Sequence, residues 1–402
     1  MARSERISRQ SGGRTSTGDY KAVLLAAALV LTAGAFVILS DAQESDAGDI
    51  GPNLSWELKG NTLIIKGTGD MREFGQLLPY AWYTSQYYEY VEHIVLNEGI
   101  TSLAKGCFKF PNLTGEIVLP KSLKVIAPSV FEGTGITSIV IPEGSQLTTI
   151  DRWAFKDCKE LTGNIWLPKS MTYIGTEAFK DCTKLTGNIV IPASMNYIGT
   201  GIFDGCKNLS CELKVQPDVL YIAHRAFQGC TGITGKIEMT NQYGLGVWGS
   251  AFKGCKGLTE FTALHCISSI GESAFEGCTG LKVVRVNDGR LEDRAFAGCT
   301  GLTEVDIGSK INGIKPTAFE GIQFFDEDGN ELVINNDNLS EFVGYIFEGS
   351  DGKLTRSGPT AEIIPDLPDE GDGGINMMYV GLPAAFIVGL IVGLLVTRIR
   401  RP

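Results

Sequence analysis

Between residues 93 and 321 the apolar positions recur about every 24 residues. The markers are Phe108, Phe131, Phe155, Phe179, Phe203, Phe227, Phe252, Phe275, Phe296 and Phe319, most of them preceded by Ala. Two neighbouring copies read LTGNIWLPKSMTYIGTEAFKDCTK (161–184) and LTGNIVIPASMNYIGTGIFDGCKN (185–208). Alternation predicts a short strand at Ile165-Trp166-Leu167 and again at Ile189-Val190-Ile191, with the outer two side chains of each inward. Pro168 and Pro192 end these strands, because proline has no N–H for the ladder. A second strand is expected at Met171–Ile174 and Met195–Ile198, with Gly175 and Gly199 supplying the turn that follows. The AFKDC and IFDGC pieces read as one helical turn that drops Phe and Cys into the core. A unit this small cannot bury its own apolar face, whereas stacked units bury it against each other. The 402 residues, enough for two or three ordinary domains, are thus better read as one quasi-linear array.

The grammar xIxIPxSVxxIGxxAFxGCxxL resembles that of the BspA-like leucine-rich-repeat surface proteins. The resemblance covers about His93–Gly321, over half the chain, in about ten repeats. It implies an α/β repeat solenoid with short strands and one helical turn per coil. It also implies adhesion to host or neighbouring-cell surfaces. The segment WELKGNTLIIKGTGDM (56–71), with AWY at 81–83, resembles the cap that precedes such arrays, which places a β-rich N-terminal cap at 52–92. GYIFEGSDGKLTR (344–356) resembles a module that follows them, giving a C-terminal β module at 322–356. The pattern is imperfect. Phe131 and Phe319 lack the following Cys, the 281–296 unit is short, and 235–248 has lost its Pro and its second-strand pattern, so local irregularity is expected there.

Two apolar runs flank the array. Residues 22–42 follow a basic stretch, 1–21, and end in Ser40-Asp41-Ala42, the small-residue pattern of a signal-peptide cut before Gln43. The run is long for that role, so an uncleaved signal anchor is the alternative. Residues 379–397 are apolar and long enough for a C-terminal transmembrane helix, and Arg398, Arg400 and Arg401 follow in a short tail, 398–402. Positive residues stay inside, so the tail is expected in the cytoplasm and the large middle segment outside the cell membrane. Gly381, Ala385, Gly389 and Gly393 fall on one face of that helix and could pack a homodimer, although small residues are common in membrane helices. Residues 357–375, with three Pro and five acids, read as an extended stalk.

Charge narrows the partners. The chain carries −11 overall, and its ends are basic, leaving 43–375 at −16. That excludes a nucleic-acid partner, which needs a basic face. Seven of the ten Cys (158, 182, 206, 230, 255, 278 and 299) sit three residues after a marker Phe, a placement that fits a ladder of packed thiols better than disulfides. Cys107, Cys211 and Cys266 lie off the ladder. No CxxC, HExxH, GxSxG or phosphate loop occurs, so no catalytic, cofactor or metal residue is nominated. His265 and Cys266 would point to opposite faces of a strand. Asp326, Asp328 and Glu331 have the wrong glycine placement for a calcium loop, and Asp328-Gly329 reads as a hairpin turn. Asn53, Asn112, Asn208 and Asn338 are N-glycosylation sequons.

A solenoid presents one outward residue per strand per coil. The first-strand row is Val95, Val118, Val140, Trp166, Val190, Lys214, Glu238, Thr262, Arg285 and Asp306, apolar in its first half and polar in its second. The second-strand row includes Tyr173, Tyr197 and Tyr221, expected to stack as rungs. One reading is that such residues simply suit strands. The other is that Trp166, Val190 and the tyrosines form an adhesive patch for an extracellular protein or glycan. A membrane-anchored, non-catalytic binding protein is the function expected. Its rival is a structural cell-envelope component that associates with itself.

Overall fold

The computed structural model describes residues 47–360, apart from 74–86, 188, 211–212, 214–218, 240–244, 265–267 and 336. The chain opens with an antiparallel meander of β1 (Ala47–Gly51), β2 (Leu54–Lys59) and β3 (Thr62–Gly67), followed by the short β4 (Gly69–Asp70). The cap therefore begins five residues earlier than the expected 52. Three two-stranded coils follow: β5 (His93–Leu96) with β6 (Ile100–Leu103), β7 (Thr114–Val118) with β8 (Val125–Ile126), and β9 (Gly135–Val140) with β10 (Thr149–Ile150). The next three coils keep only a second strand among the described residues: β11 (Tyr173–Ile174), β12 (Tyr197–Ile198) and β13 (Tyr221–Ile222). Two strands per coil return with β14 (Thr234–Met239) and β15 (Gly246–Val247), then β16 (Gly257–Ala263) and β17 (Ser269–Ile270). In the last coils the two strands merge into β18 (Val283–Leu291) and β19 (Glu304–Ile314).

Strands from successive coils pair in parallel, which builds two walls. In the first wall β3 pairs β5, β7 pairs β9, and β14, β16, β18 and β19 run in order. The second wall runs β4, β6, β8, β10, β11 and, in a separate sheet, β12, β13, β15, β17. The register matches the expected rows: Val118 faces Val140, and Glu238, Thr262, Arg285 and Asp306 follow one another.

The third side of each coil carries the marker Phe and corrects the expected α/β class. AFKDC and its equivalents are not helical. The described array is a β-solenoid, and its one short helix is a 3-10 turn at Leu339–Glu341, outside the repeats. In nearly every coil the residues two before and two after the Phe are left-handed, as at Trp153 and Asp157 around Phe155 (both φ +59°), the exceptions being Phe110 and Thr317 at the two ends of the array. Two such residues four apart break any i→i−4 ladder. They also alternate the N–H groups. Ala154, Lys156 and Cys158 donate three residues back within the coil, whereas Trp153, Phe155 and Asp157 donate to Thr176, Ala178 and Lys180 of the next coil at 2.8–3.1 Å. The turn side thus has its own inter-coil ladder, and its buried backbone groups are satisfied without strand or helix.

Inside, all ten marker phenylalanines stack in sequence, with centroids 5.1–5.7 Å apart from Phe108 to Phe319. The seven ladder cysteines are buried thiols outside any disulfide, and Cys107 is buried too. Each of the seven sulfurs donates to the carbonyl of the preceding coil's Phe at 3.0–3.1 Å, from Cys158 on Phe131 to Cys299 on Phe275. Thr134 takes the slot after Phe131 and donates its hydroxyl to that same carbonyl. Cys211 and Cys266 lie outside the described residues.

The array is closed at its C-terminal end by β20 (Gln323–Phe325), β21 (Glu331–Leu332), β22 (Tyr345–Ser350) and β23 (Lys353–Pro359). β22 pairs antiparallel with β19, and Phe324, Phe342 and Phe347 pack edge and face behind Phe319. Asp328-Gly329 sits in the turn joining β20 to β21, with the Asp326 carboxylate accepting from the backbone of Asp328 and Asn330. β23 runs through Pro359, so the expected stalk boundary at 357 is too early. The signal or anchor segment 22–42, the stalk from 361 on, the apolar segment 379–397 and its residues Gly381, Ala385, Gly389 and Gly393 lie outside the described residues. Among the described residues no helix is long and apolar enough to cross a membrane.

Candidate functional site

The first wall carries the feature that most sets this surface apart. Val95, Val118, Val140, Trp166 and Val190 are exposed, Trp166 at 51% and Val190 at 53%, while their strand neighbours Ile94, Ile117, Ile165, Leu167, Ile189 and Ile191 are buried. Alternation along each segment produces this row, one residue per coil.

The two expected first strands at Ile165-Trp166-Leu167 and Ile189-Val190-Ile191 are a correction. Neither is a strand; Val190 retains a single bridge. The backbone of Ile165–Leu167 makes no hydrogen bond to a described residue, although the equivalent Leu119 N–H donates to Val140 at 2.9 Å two coils earlier. The second wall is interrupted at the same level, because β11 ends one sheet and β12 begins another. Its strands are also shorter than the expected Met171–Ile174 and Met195–Ile198. The turn side is intact there: Glu177, Phe179 and Asp181 donate to Thr200, Ile202 and Asp204 at 2.7–2.9 Å. A groove of about 530 Å³ opens at this level, lined by Trp166, Leu167, Lys169, Val190, Pro192 and Ala193 among others, with Lys169 its sole charged side chain.

The expected stack of three tyrosines is realised in part: Tyr197 and Tyr221 stack, whereas Tyr173 lies across the interruption of the second wall and makes no ring contact with Tyr197. Tyr197 stacks on Tyr221 at 5.3 Å, and Tyr221 stacks on Trp248 at 4.8 Å. Tyr221 is buried and Tyr173 and Tyr197 are half-buried. Burial pushes the Tyr221 phenol up to about 12 and raises those of Tyr173 and Tyr197. Sequence reasoning missed Trp248. Its signal was Gly246, which holds the register position opposite Tyr221 with no side chain, so a ring two residues on fills the place.

The polar half of the row is a charge network. Arg285 bridges Glu260 at 2.6 Å and Glu304 at 2.8 Å. Asp306 beside them is half-buried, and burial raises its carboxyl to about 6; Arg285 opposes that rise and Glu304 adds to it. One of its oxygens, Oδ1, has no hydrogen-bond partner. Among the described residues no group of three or more His, Cys, Asp or Glu could hold a metal ion.

Asn53, Asn112 and Asn208 are exposed; Asn338 is half-buried, and its side chain is engaged by Asn335 and Val333. Lys214, His265 and Cys266 lie outside the described residues.

A model of the BspA type leucine rich repeat region matches residues 83–210 and 210–326 in six copies. Among solved structures, a leucine-rich repeat protein from Eubacterium ventriosum ATCC 27560 is 16% identical with a TM-score of 0.40, covering 81% of this chain and 99% of that one. A leucine rich cell surface protein from Faecalibacterium prausnitzii A2-165 is 20% identical with a TM-score of 0.40, covering 71% of this chain and 89% of that one. No curated protein matches the chain.

Proposed function

The chain belongs to the BspA-type leucine-rich-repeat family, and from that premise we propose that it is a non-catalytic binding protein displayed outside the cell. Its partner is an extracellular protein or glycan, and it binds through the lateral surface of the first wall. One observation carries this reading: the exposed row Val95, Val118, Val140, Trp166 and Val190 on an otherwise well-sorted solenoid. Apolar side chains in such numbers on one face mark a surface meant to be covered. A Trp at the centre of the patch is the usual anchor of an interface. In the same reading the segment 379–397 holds the protein in the cell membrane with the basic tail 398–402 in the cytoplasm.

The test is attachment of the full-length chain to immobilised matrix proteins and glycans. Replacing Trp166 and Val190 together by Ser is expected to weaken attachment at least tenfold with an unchanged melting temperature. Unchanged attachment overturns the assignment of this face. Loss of self-association in the double variant, with foreign ligands ignored throughout, supports the envelope-component reading instead.

A further inference from the structure

We infer that the second wall carries a binding site for one neutral hexopyranose unit of a glycan, at the level where the aromatic column of Tyr197, Tyr221 and Trp248 gives way to small residues. This site is separate from the first wall and stands whether or not that face binds a partner. The column supplies its first half. Tyr221, Gly246 and Ser269 are in parallel register, as are Ile222, Val247 and Ile270, so the residues that follow, Ala223, Trp248 and Gly271, fall in one row. Trp248 lays its indole over Gly246 and onto Tyr221, 4.8 Å away and 9° off parallel. The next coil offers only Ser269 and Gly271 at these two positions, and a cleft of about 570 Å³ opens there beside the indole. Small-molecule sites run from about 300 to 1,000 Å³.

The rim supplies the second half. His224, Gly249 and Glu272 form the adjoining row, and Gly249 keeps a gap between the two side chains, with His224 Nδ1 3.1 Å from where its Cβ would stand. The His224 ring also meets the indole, centroids 5.3 Å apart. Arg225 and Ser250 border the same cleft. Arg225 and Glu272 are exposed, and among the described residues neither enters an ion pair. They stand two coils, or about 10 Å, apart along the array. That is close to the width of a pyranose with a hydrogen bond at each edge. The main chain beneath is fixed by the inter-coil ladder: Trp248 donates to Ile222 at 2.8 Å, Arg225 to Gly249 at 3.1 Å, Ser250 to Glu272 at 2.8 Å and Gly271 to Val247 at 2.7 Å. The site is therefore formed before a ligand arrives, which lowers the cost of binding.

An aromatic face beside donors and acceptors matches a sugar ring, which has an apolar C–H face and hydroxyls around its edge. Arg225 donates, Glu272 accepts, and the Ser250 and Ser269 hydroxyls do either. Opposite charges at the two ends suit a neutral hexose better than a sialic acid or a sulfated sugar. Glu272 is the one carboxylate lining the cleft, and glycoside hydrolysis uses a pair, so the site holds sugar without cleaving it.

The test is saturation-transfer NMR on the full-length chain with the methyl β-pyranosides of glucose, galactose, mannose and N-acetylglucosamine at millimolar concentration. At least one is expected to receive saturation, strongest at the C–H protons of one ring face. Arg225→Gln and Glu272→Gln change exposed side chains and leave the aromatic column in place. Each is expected to weaken that sugar at least fivefold with an unchanged melting temperature, and Trp248→Leu is expected to abolish the signal. No transfer to any of the four, or wild-type affinity in both exposed-residue variants, overturns the site. Stronger transfer to the peptide Gly-Tyr-Gly-NH2 than to any pyranoside, lost in the same variants, overturns the sugar reading and gives the cleft to a peptide.

Discussion

At the scale of single residues, sulfur sets the chemistry of the core and one half-buried carboxylate that of the outward row. The ladder thiols do two things that Ala could not: they fill a slot in every coil and satisfy a Phe carbonyl of the coil before. Burial pushes the Cys158 and Cys299 thiols up to about 12 and raises those of Cys182, Cys230 and Cys278. Thiolate, not thiol, is the nucleophile. All seven are also fully buried, so iodoacetamide at pH 8 is expected to leave them unmodified in the native chain and to label them once guanidinium unfolds it. Mass spectrometry checks this, and a disulfide among them would show as missing label after unfolding. Asp306 gives a pH prediction. Its carboxyl titrates near 6 when folded, against an ordinary 3.8, so the folded state holds the proton more tightly. Its contribution to stability is complete below about pH 4 and is lost as pH rises through 6. Asp306→Asn mimics the protonated form. It is expected to stabilise the protein by about 1–2 kcal/mol at pH 7.5, after allowance for solvent on its open side, and to change nothing at pH 4. Urea midpoints at the two pH values decide it.

At the scale of elements, some of the architecture was legible in the sequence and some was not. Phe and Cys positions were, because each coil needs the same volume at the same place. The outward row was, because alternation fixes which side chain faces water. The helical turn was misread because AFKDC suits a helix in composition, whereas its N–H groups are wanted by the next coil. The residue two after every marker Phe but the first held the clue: Gly133, Asp157, Asp181, Gly205, Gly229, Gly254, Gly277, Gly298 and Gly321 are types that tolerate φ > 0, and all adopt it. Gly175 was assigned a turn for its conformational freedom. The structure gives another reason: its φ is ordinary, and a Cβ would lie 2.3 Å from the Arg152 nitrogen. It is glycine so that adjacent coils can approach. Gly175→Ala is expected to cost about 1–3 kcal/mol by overpacking. Arg225, left-handed at φ +57° and exposed, should instead accept Gly with no loss. Arg225→Val should cost about 1–2 kcal/mol, since a β-branched residue is worst in that region. A thermal or urea series on these three variants orders them. The groove was not legible at all. LTGNIWLP and LTGNIVIP are the best copies of the repeat, and whether their backbones pair depends on the placement of neighbouring coils, which no single copy encodes.

At the scale of the whole array, each coil touches only its neighbours, so stability is close to a sum of coil terms and junction terms. Cooperativity then depends on the weakest junction. Most described junctions are held on the turn side and in at least one wall, as β16 and β18 are joined by Glu260–Ala263 on Val283–Val286. The junction between the fourth and fifth coils has no strand pairing among the described residues; it keeps three turn-side backbone bonds, the Cys206 sulfur on the Phe179 carbonyl, the Lys180–Asp204 pair and one ring contact, with the Ser194 hydroxyl on the Lys169 and Met171 carbonyls and the Gly163 N–H on the Thr186 hydroxyl. Removing the Phe179 ring takes away the main apolar link there, whereas removing Phe275 leaves paired walls around the cavity. Both substitutions to Ala cost about 3–5 kcal/mol locally. Their effects on cooperativity should differ. Phe275→Ala is expected to lower a single urea transition, while Phe179→Ala splits it in two, one for the coils before residue 184 and one for those after 189. Hydrogen exchange along the urea series distinguishes the cases, since the two halves would lose protection at different concentrations. A single transition in both variants would mean that the contacts kept at this junction couple the array, and that the interruption of the walls leaves its cooperativity untouched.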